Sequence, residues 1–322
     1  MASGGRYEPA EADARRSELI ARRAARRRQV RRRRIVVVAV LVLAVVAVVS
    51  LAGGGGGGRP SDASGSARGA AAERLGAGSS GEVRNATPQP GWQPHPGPVP
   101  ILEYHVLGEA PADAPYPELY VERPDFRHQL KWLDAHGYQA VTLDQVEAAW
   151  YRGGTLPPKP VVLSFDDGYR PQFTFALPQL RKHGWAGVLN LKAEGSDLYH
   201  SNVEAMLAAG WELAAHTIHH LDLTELGPEQ LEEEVAGSKR MLEDEFQVPV
   251  RNFCYPAGRF DGTVIAAVEK AGYVGATTEI PGYATRDHPY ELARFEILGS
   301  SGVSGLAADL RSGEGEVGEG GP

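Results

Sequence analysis

Cysteine is the scarcest resource in this chain: Cys254 stands alone among 322 residues. An internal disulfide framework is therefore excluded, and any folded part rests on its own apolar core. No side-chain motif recurs at a fixed period, which excludes a solenoid. Charge is absent from Ile35 to Ala52, IVVVAVLVLAVVAVVSLA. Eighteen uncharged apolar residues suffice to span a bilayer core.

Charge elsewhere is unevenly shared. Residues 1–34 hold twelve arginines against four acidic residues, out of 33 basic and 41 acidic residues in the whole chain. The head is thus strongly basic and the remainder strongly acidic. A basic head can bind nucleic acid, but the apolar run directly after it points to a membrane instead, with no nucleic-acid partner. By the positive-inside rule, 1–34 is a cytoplasmic head, 35–52 a single-pass transmembrane anchor, and everything later extracytoplasmic. A competing reading takes Ser50-Leu51-Ala52 as a cleavage site, releasing the protein after Ala52. Both readings export the rest of the chain.

Residues 53–97 are low-complexity linker, glycine- and serine-rich first and proline-rich later. Residues 311–322, RSGEGEVGEGGP, carry no apolar period and are expected to be a disordered tail. Between them, 98–310 reads as alternating strands and helices. Strands are expected at Val99–Tyr104, Ala140–Leu143, Val161–Phe165, Ala186–Leu191, Glu212–Ala215, Asn252–Tyr255 and Val274–Thr277. Helices are expected at Pro124–His136, up to Arg152, and at Gln172–His183, Asn202–Ala209, Pro228–Phe246 and Thr263–Ala271. Four helices end alike, in His136-Gly137-Tyr138, His183-Gly184-Trp185, Ala209-Gly210-Trp211 and Ala271-Gly272-Tyr273. In each, glycine closes the helix in the left-handed conformation and an aromatic opens the next strand. About seven such units argue an α/β fold with a parallel sheet closed as a barrel.

Ligands in such folds gather at the C-terminal strand ends. Strand Val161–Phe165 runs into Asp166-Asp167-Gly168. Two adjacent carboxylates there repel each other, and a cation resolves the repulsion, with one carboxylate as ligand and the other as base. The plainer alternative is a turn whose aspartates cap a helix. Strand Glu212–Ala215 ends in His216-Thr217-Ile218-His219-His220. Histidines four apart in a turn can converge on one metal, His216 with His220, although His219 could replace His220. His105 follows the first strand, where it is either a hydrogen-bonded core histidine or a proton donor to a leaving amine. Tyr255-Pro256, at the end of Phe253-Cys254-Tyr255-Pro256-Ala257-Gly258, could form a wall of a substrate groove and supply a backbone donor to an oxyanion. Cys254 reads as a small buried residue.

Together, SFDDG at 164–168, HTIHH at 216–220 and FCYPAG at 253–258 resemble the polysaccharide deacetylase family with the NodB homology domain (carbohydrate esterase family 4), over about 98–300. The resemblance implies a distorted (β/α) barrel and a divalent metal, zinc first, with cobalt or nickel as alternatives. It implies Asp166 as general base, Asp167, His216 and His220 as metal ligands, and Tyr255 as an oxyanion donor through its N–H. The chain departs from the common pattern at Leu292-Ala293-Arg294, where the family carries a Leu-x-His histidine, and it lacks the aspartate-tryptophan motif before it. ILEYHVLG at 101–108 instead resembles the branch that deacetylates poly-N-acetylglucosamine, which implies His105 as general acid. No arginine precedes Tyr255 where many members use one to orient the base, leaving Arg251, Arg259 and Arg294 as candidates. The expected activity is removal of acetyl groups from an N-acetylated cell-surface glycan. The alternatives are a non-catalytic glycan-binding barrel, an O-acetyl xylan esterase and a small-amide hydrolase.

Overall fold

Side chains alternate across a strand with a period of two, and in this chain both faces of nearly every strand are apolar or buried. A sheet of that kind must be covered on one face and closed on the other. A computed structural model describes residues 86–316. Its strands are β1 (Val99–Tyr104), β2 (Val106–Leu107), β3 (Tyr120–Val121), β4 (Gln139–Val141), β5 (Pro160–Asp166), β6 (Val188–Leu191), β7 (Glu212–Ala215), β8 (Asn252–Cys254), β9 (Gly275–Thr277), β10 (Tyr283–Ala284) and β11 (Phe295–Glu296). The main sheet runs β10-β1-β5-β6-β7-β8-β9, with β4 on β5 and β11 on β1. Every pairing in it is parallel except β1 with β10.

The sheet curls, and one bent segment links its edges. Leu292 bridges to Thr277 of β9, while Phe295 and Glu296 pair with Leu102 and Glu103 of β1. Arg294 lies between these two pairings. The distorted barrel read from the sequence is therefore present, with about seven strands around the ring.

Alternation then sorts the side chains. Leu102, Tyr104, Leu163, Phe165, Leu189, Leu213, Ala215 and Phe253 belong to the large core beneath the helices. Phe165 stacks on Tyr104 at 5.5 Å and meets Trp211 at 5.0 Å. The other face turns inward. Ile101, Val162, Val188, Ala214 and Leu292 form an apolar floor. Two residues further along come Glu103, Ser164, Asn190, Cys254, Thr277 and Arg294, all buried. The mouth above carries Asp166 and His216.

The helices are α1 (Arg123–Ala135), α2 (Leu143–Tyr151), α3 (Leu177–His183), α4 (His200–Ala208), α5 (Pro228–Glu232), α6 (Ser238–Phe246), α7 (Gly262–Lys270) and α8 (Gly302–Glu316). A π turn, Gln172–Ala176, leads into α3, and another, Glu233–Gly237, joins α5 to α6. The expected left-handed closures at Gly137, Gly184, Gly210 and Gly272 all occur, with φ between 72° and 81°.

Two boundaries move. The last part of the expected linker packs on the domain: Trp92 is buried, Gln93 pairs with Leu156, and the Trp150 indole donates to Gly97 O at 2.9 Å. An aromatic among prolines had apolar area enough to dock. At the other end, α8 continues past Leu310 to Glu316, into the expected disordered tail. It is anchored by buried Leu306, Ala307 and Leu310 and by the Tyr283 hydroxyl on Leu310 O at 2.8 Å. The expected anchor at 35–52 lies outside the described residues, among which no helix is long and apolar enough to cross a membrane.

Candidate metal centre and active site

The buried strand β5 delivers Asp166 as its last residue, and the chain must turn at once to leave the barrel. Asp167 and Gly168 both take φ of 75°. A side chain at Gly168 would also strike Leu191 and Ser196 at 2.5 and 2.9 Å, so glycine is required there on two counts. The loop after β7 is bent likewise, with Thr217 at φ 64° and His220 at 58°. Non-glycine residues held in this region cost energy and cluster at functional sites.

These turns bring Asp167, His216 and His220 together. Asp167 Oδ1 lies 3.8 Å from His216 Nε2 and 3.6 Å from His220 Nε2. The separations are too long for hydrogen bonds, and all three atoms fall within 4.8 Å of one another. His216 Nδ1 donates to Cys254 O at 2.8 Å, which leaves Nε2 as the lone-pair nitrogen facing the aspartate. Burial, then repulsion from His216, lowers the His220 pKa to about 4, so this ring is neutral at physiological pH. Two imidazoles and a carboxylate around one point are the donor set that a divalent transition ion takes. The three residues fit a metal.

The ambiguity over His219 is resolved by geometry. His219 Nδ1 bonds Glu234 Oε1 at 2.6 Å and its Nε2 lies 3.3 Å from Glu194, so the ring faces away from Asp167. Buried Glu234 also accepts the N–H groups of Ile218 and His219 at 3.1 and 2.9 Å. It sits on the second π turn. The first π turn carries Gln172, whose amide donates to His105 O at 3.0 Å and Asp166 O at 2.6 Å. Each π turn thus aims one polar side chain at a loop of the site, a known use of this distortion.

Asp166 is held on all sides. Asn190 Nδ2 donates to Oδ1 at 2.6 Å, Arg294 Nη1 lies 3.0 Å from both oxygens, and the Cys254 thiol donates to Oδ2 at 3.4 Å. Burial alone would raise this carboxyl. The charge of Arg294, then His216 and His105 and the Asn190 bond, outweigh burial and hold it far below the usual carboxylate range. Of the three candidate arginines, Arg294 is the tether. Arg251 pairs with Asp144 at 2.9 Å and Arg259 with Asp222. Asn190 was missed, although a lone polar residue in the buried strand VLNL, directly in register with Asp166, was a readable signal.

His105 follows β1 on the inner face. It is buried, its Nε2 is 3.7 Å from Glu103 Oε1, and its Nδ1 has no hydrogen-bond partner. Its side chain shares one cluster with Glu103 and Asp166. Tyr255 and Pro256 depart from expectation. The Tyr255 N–H donates to Thr277 O at 3.1 Å, so the sheet ladder takes the donor expected for an oxyanion. Its ring is fully buried, stacked on Phe260, with its hydroxyl on Tyr290 O. Pro256 is buried as well. Both residues pack the wall from behind rather than line a groove.

Residues 153–276 match the family model for polysaccharide deacetylases. The Bacillus subtilis protein YxkH, named for a polysaccharide deacetylase, is 33% identical over 218 residues, covering 66% of this chain and 75% of its own. The Escherichia coli poly-β-1,6-N-acetyl-D-glucosamine N-deacetylase is 40% identical over 95 residues, 30% of this chain, though these are only 14% of its own length. Among solved structures, the Streptococcus pyogenes deacetylase PplD, in complex with acetate, superposes with a TM-score of 0.62 at 24% identity. That match covers 67% of this chain and 99% of the other, and it establishes likeness of fold.

Proposed function

The chain belongs to the polysaccharide deacetylase family, and we propose that it removes acetyl groups from an N-acetylglucosamine polymer at the cell surface, using Asp166 as base and His105 as acid. One observation carries the reading. A buried carboxylate kept ionised by Arg294 and Asn190 stands beside a separate carboxylate–imidazole triad. A cleft that pairs a tethered base with a cation-binding set suits hydrolysis of an amide.

Asp167, His216 and His220 would hold the divalent ion. When bound, such an ion supplies Lewis-acid polarisation of the acetyl carbonyl and lowers the pKa of the attacking water. The chain's own residues do the rest. Asp166 takes a proton from the water as the water oxygen attacks the carbonyl carbon. Oδ2 is the receiving atom, since its neighbours there are the guanidinium and a weak thiol donor, whereas Oδ1 also accepts the short Asn190 bond. His105 gives a proton to the sugar nitrogen as the C–N bond breaks. Acetate and a free amine result, with one water consumed.

Zinc is the ion we favour for two nitrogens and one carboxylate, with cobalt or nickel as substitutes. The polymer is chosen by circumstance. A domain tethered outside the cytoplasmic membrane through residues 35–52 meets peptidoglycan and nascent exopolysaccharide, and its acidic surface disfavours a strongly anionic polymer. The E. coli relative's poly-N-acetylglucosamine substrate agrees with this choice.

The test is acetate release by the full chain from N-acetylglucosamine oligomers and from O-acetylated xylan. It is run after chelation and again after return of zinc, cobalt or nickel. Metal-dependent release from the N-acetylated oligomers is expected. Release from xylan alone makes the protein an esterase, and tight metal binding without release from either makes it a glycan-binding barrel.

A further inference from the structure

Among the buried ionisable groups that the mechanism above leaves without a task, Glu103 stands nearest the acid and base. Glu103 is 1% exposed, in the middle of β1, whose inward file runs Ile101, Glu103, His105. A carboxylate is expensive to bury and persists only where something answers its charge. Two groups do. Arg294 Nη2 lies 3.2 Å from Oε2, and His105 Nε2 lies 3.7 Å from Oε1. The same guanidinium presents Nη1 to Asp166 at 3.0 Å and anchors its Nε on Thr278 O at 2.8 Å. One planar fork, fixed by the backbone of the closing segment, therefore spans two carboxylates, and one of these sits directly against the imidazole of His105.

We propose that Glu103 is the positioning residue for His105, and that it joins acid and base into one unit through Arg294. It touches neither substrate nor metal. It turns the His105 ring so that Nε2 faces the carboxylate and Nδ1, which has no hydrogen-bond partner among the described residues, faces away from it. It also occupies the second arm of Arg294, which stops the guanidinium rotating away from Asp166. The arrangement uses two faces of one planar cation, which a lysine could not reproduce. This inference rests on His105 being the proton donor.

The test is a double-mutant cycle on the full, metal-loaded chain, following acetate release from N-acetylglucosamine oligomers. Glu103→Gln keeps the shape and puts an amide in place of the carboxyl that faces His105 and Arg294. We expect kcat to fall by about tenfold or more, with KM and bound metal unchanged, and Glu103→Asp to recover part of the loss. In a His105→Ala background, Glu103→Gln should lower kcat by clearly less than it does alone, because its route through His105 is gone and only its hold on Arg294 remains. An unchanged kcat in Glu103→Gln, alongside an inactive His105→Ala, overturns this proposal alone. So does an equal additional loss in the double variant. Full activity in His105→Ala overturns the proton-donor reading and this inference with it. Should the Gln variant lose its fold, the Asp variant taken through the same cycle decides.

Discussion

The two ends of the barrel each bury a set of carboxylates, and the sets meet opposite fates. At the mouth, Asp166 and Asp167 are both held below their usual pKa range. At the base, on the same inward files, Glu212 opens β7 and Asn252 opens β8, with Glu147 of α2 set against them; Glu212 is pushed well up and Glu147 to about 8. Burial is the leading influence in all four cases and favours the neutral acid in each. The difference is the company. Asp166 has Arg294 within 3.0 Å, and Asp167 has Lys192 at 3.7 Å besides two imidazoles. Glu212 has only neutral donors, Asn252 Nδ2 and Asp144 N, each at 2.9 Å. Arg251, the nearby cation, is engaged by Asp144. Burial is overcome at one end and prevails at the other. Glu103, one layer below the mouth, is pushed up like the base by its burial, although Arg294 Nη2 lies 3.2 Å away.

The sharpest way to break this contrast is to remove the charge that creates it. Arg294→Met should leave Asp166 and Glu103 buried without their cation. Loss of one member of a buried ion pair costs about 3–5 kcal/mol, and turnover should fall by roughly a thousandfold as the base loses its ionisation and orientation. Acetate release and denaturant unfolding on the same preparation check both numbers. Arg294→Lys should fall between, since a point charge cannot serve two carboxylates. Wild-type turnover in either variant would mean that Asp166 does not depend on this cation at all. A smaller effect separates ligand from bystander among the neighbouring histidines. His220→Gln should weaken zinc binding by at least about a hundredfold, whereas His219→Gln should bind zinc as the parent does, because that ring belongs to Glu234 and Glu194. Titration with zinc at fixed pH reads the difference, and equal losses in the two variants would dissolve the triad.

What could be read from the sequence divides along the same line. The framework was legible because its signals are local. Helix-closing glycines, the buried run into Asp166 and the histidine spacing all lie within a few residues. The side chains that tune the site were harder, because their meaning depends on distant partners. Arg294 sits 128 residues from Asp166 and became one of three candidates only because no arginine precedes Tyr255. Gln172 and Glu234 owe their aim to π turns, which no hydrophobic period announces. Tyr255 misled for a related reason. Its motif suggested a free N–H, but the register of β8 against β9, set by Cys254 opposite Thr277, spends that donor in the ladder. Helix α8 escaped because its glycines and serines mask an apolar file, Leu306, Ala307 and Leu310, that gains meaning only against α1.

The base of the barrel offers the gentlest test. Among the described residues, neither oxygen of the Glu147 carboxylate has a hydrogen-bond partner of good geometry, nor has Asn252 Oδ1. Glu147 Oε1 and Asn252 Oδ1 lie 2.7 and 2.9 Å from the point that a Cβ on Gly275 would occupy. Two acceptors facing one small space are reconciled by a proton on the acid. With the folded pKa raised to about 8, the folded chain keeps that proton between pH 4.5 and 8 while the unfolded chain gives it up. Stability contributed at this position is therefore highest at acid pH and falls as pH rises toward 8, the reverse of the sign expected for Asp166. Glu147→Gln supplies a permanent donor of the same shape. It should reduce the loss of unfolding free energy between pH 5 and pH 8 by about 1–3 kcal/mol, with kcat unchanged because the mouth is untouched. Glu212 still titrates, so the slope should shrink without vanishing. Urea unfolding of the parent and Glu147→Gln chains at the two pH values decides the matter. An unaltered slope would mean that Glu147 is ionised in the folded protein, and that the base, like the mouth, holds its charge.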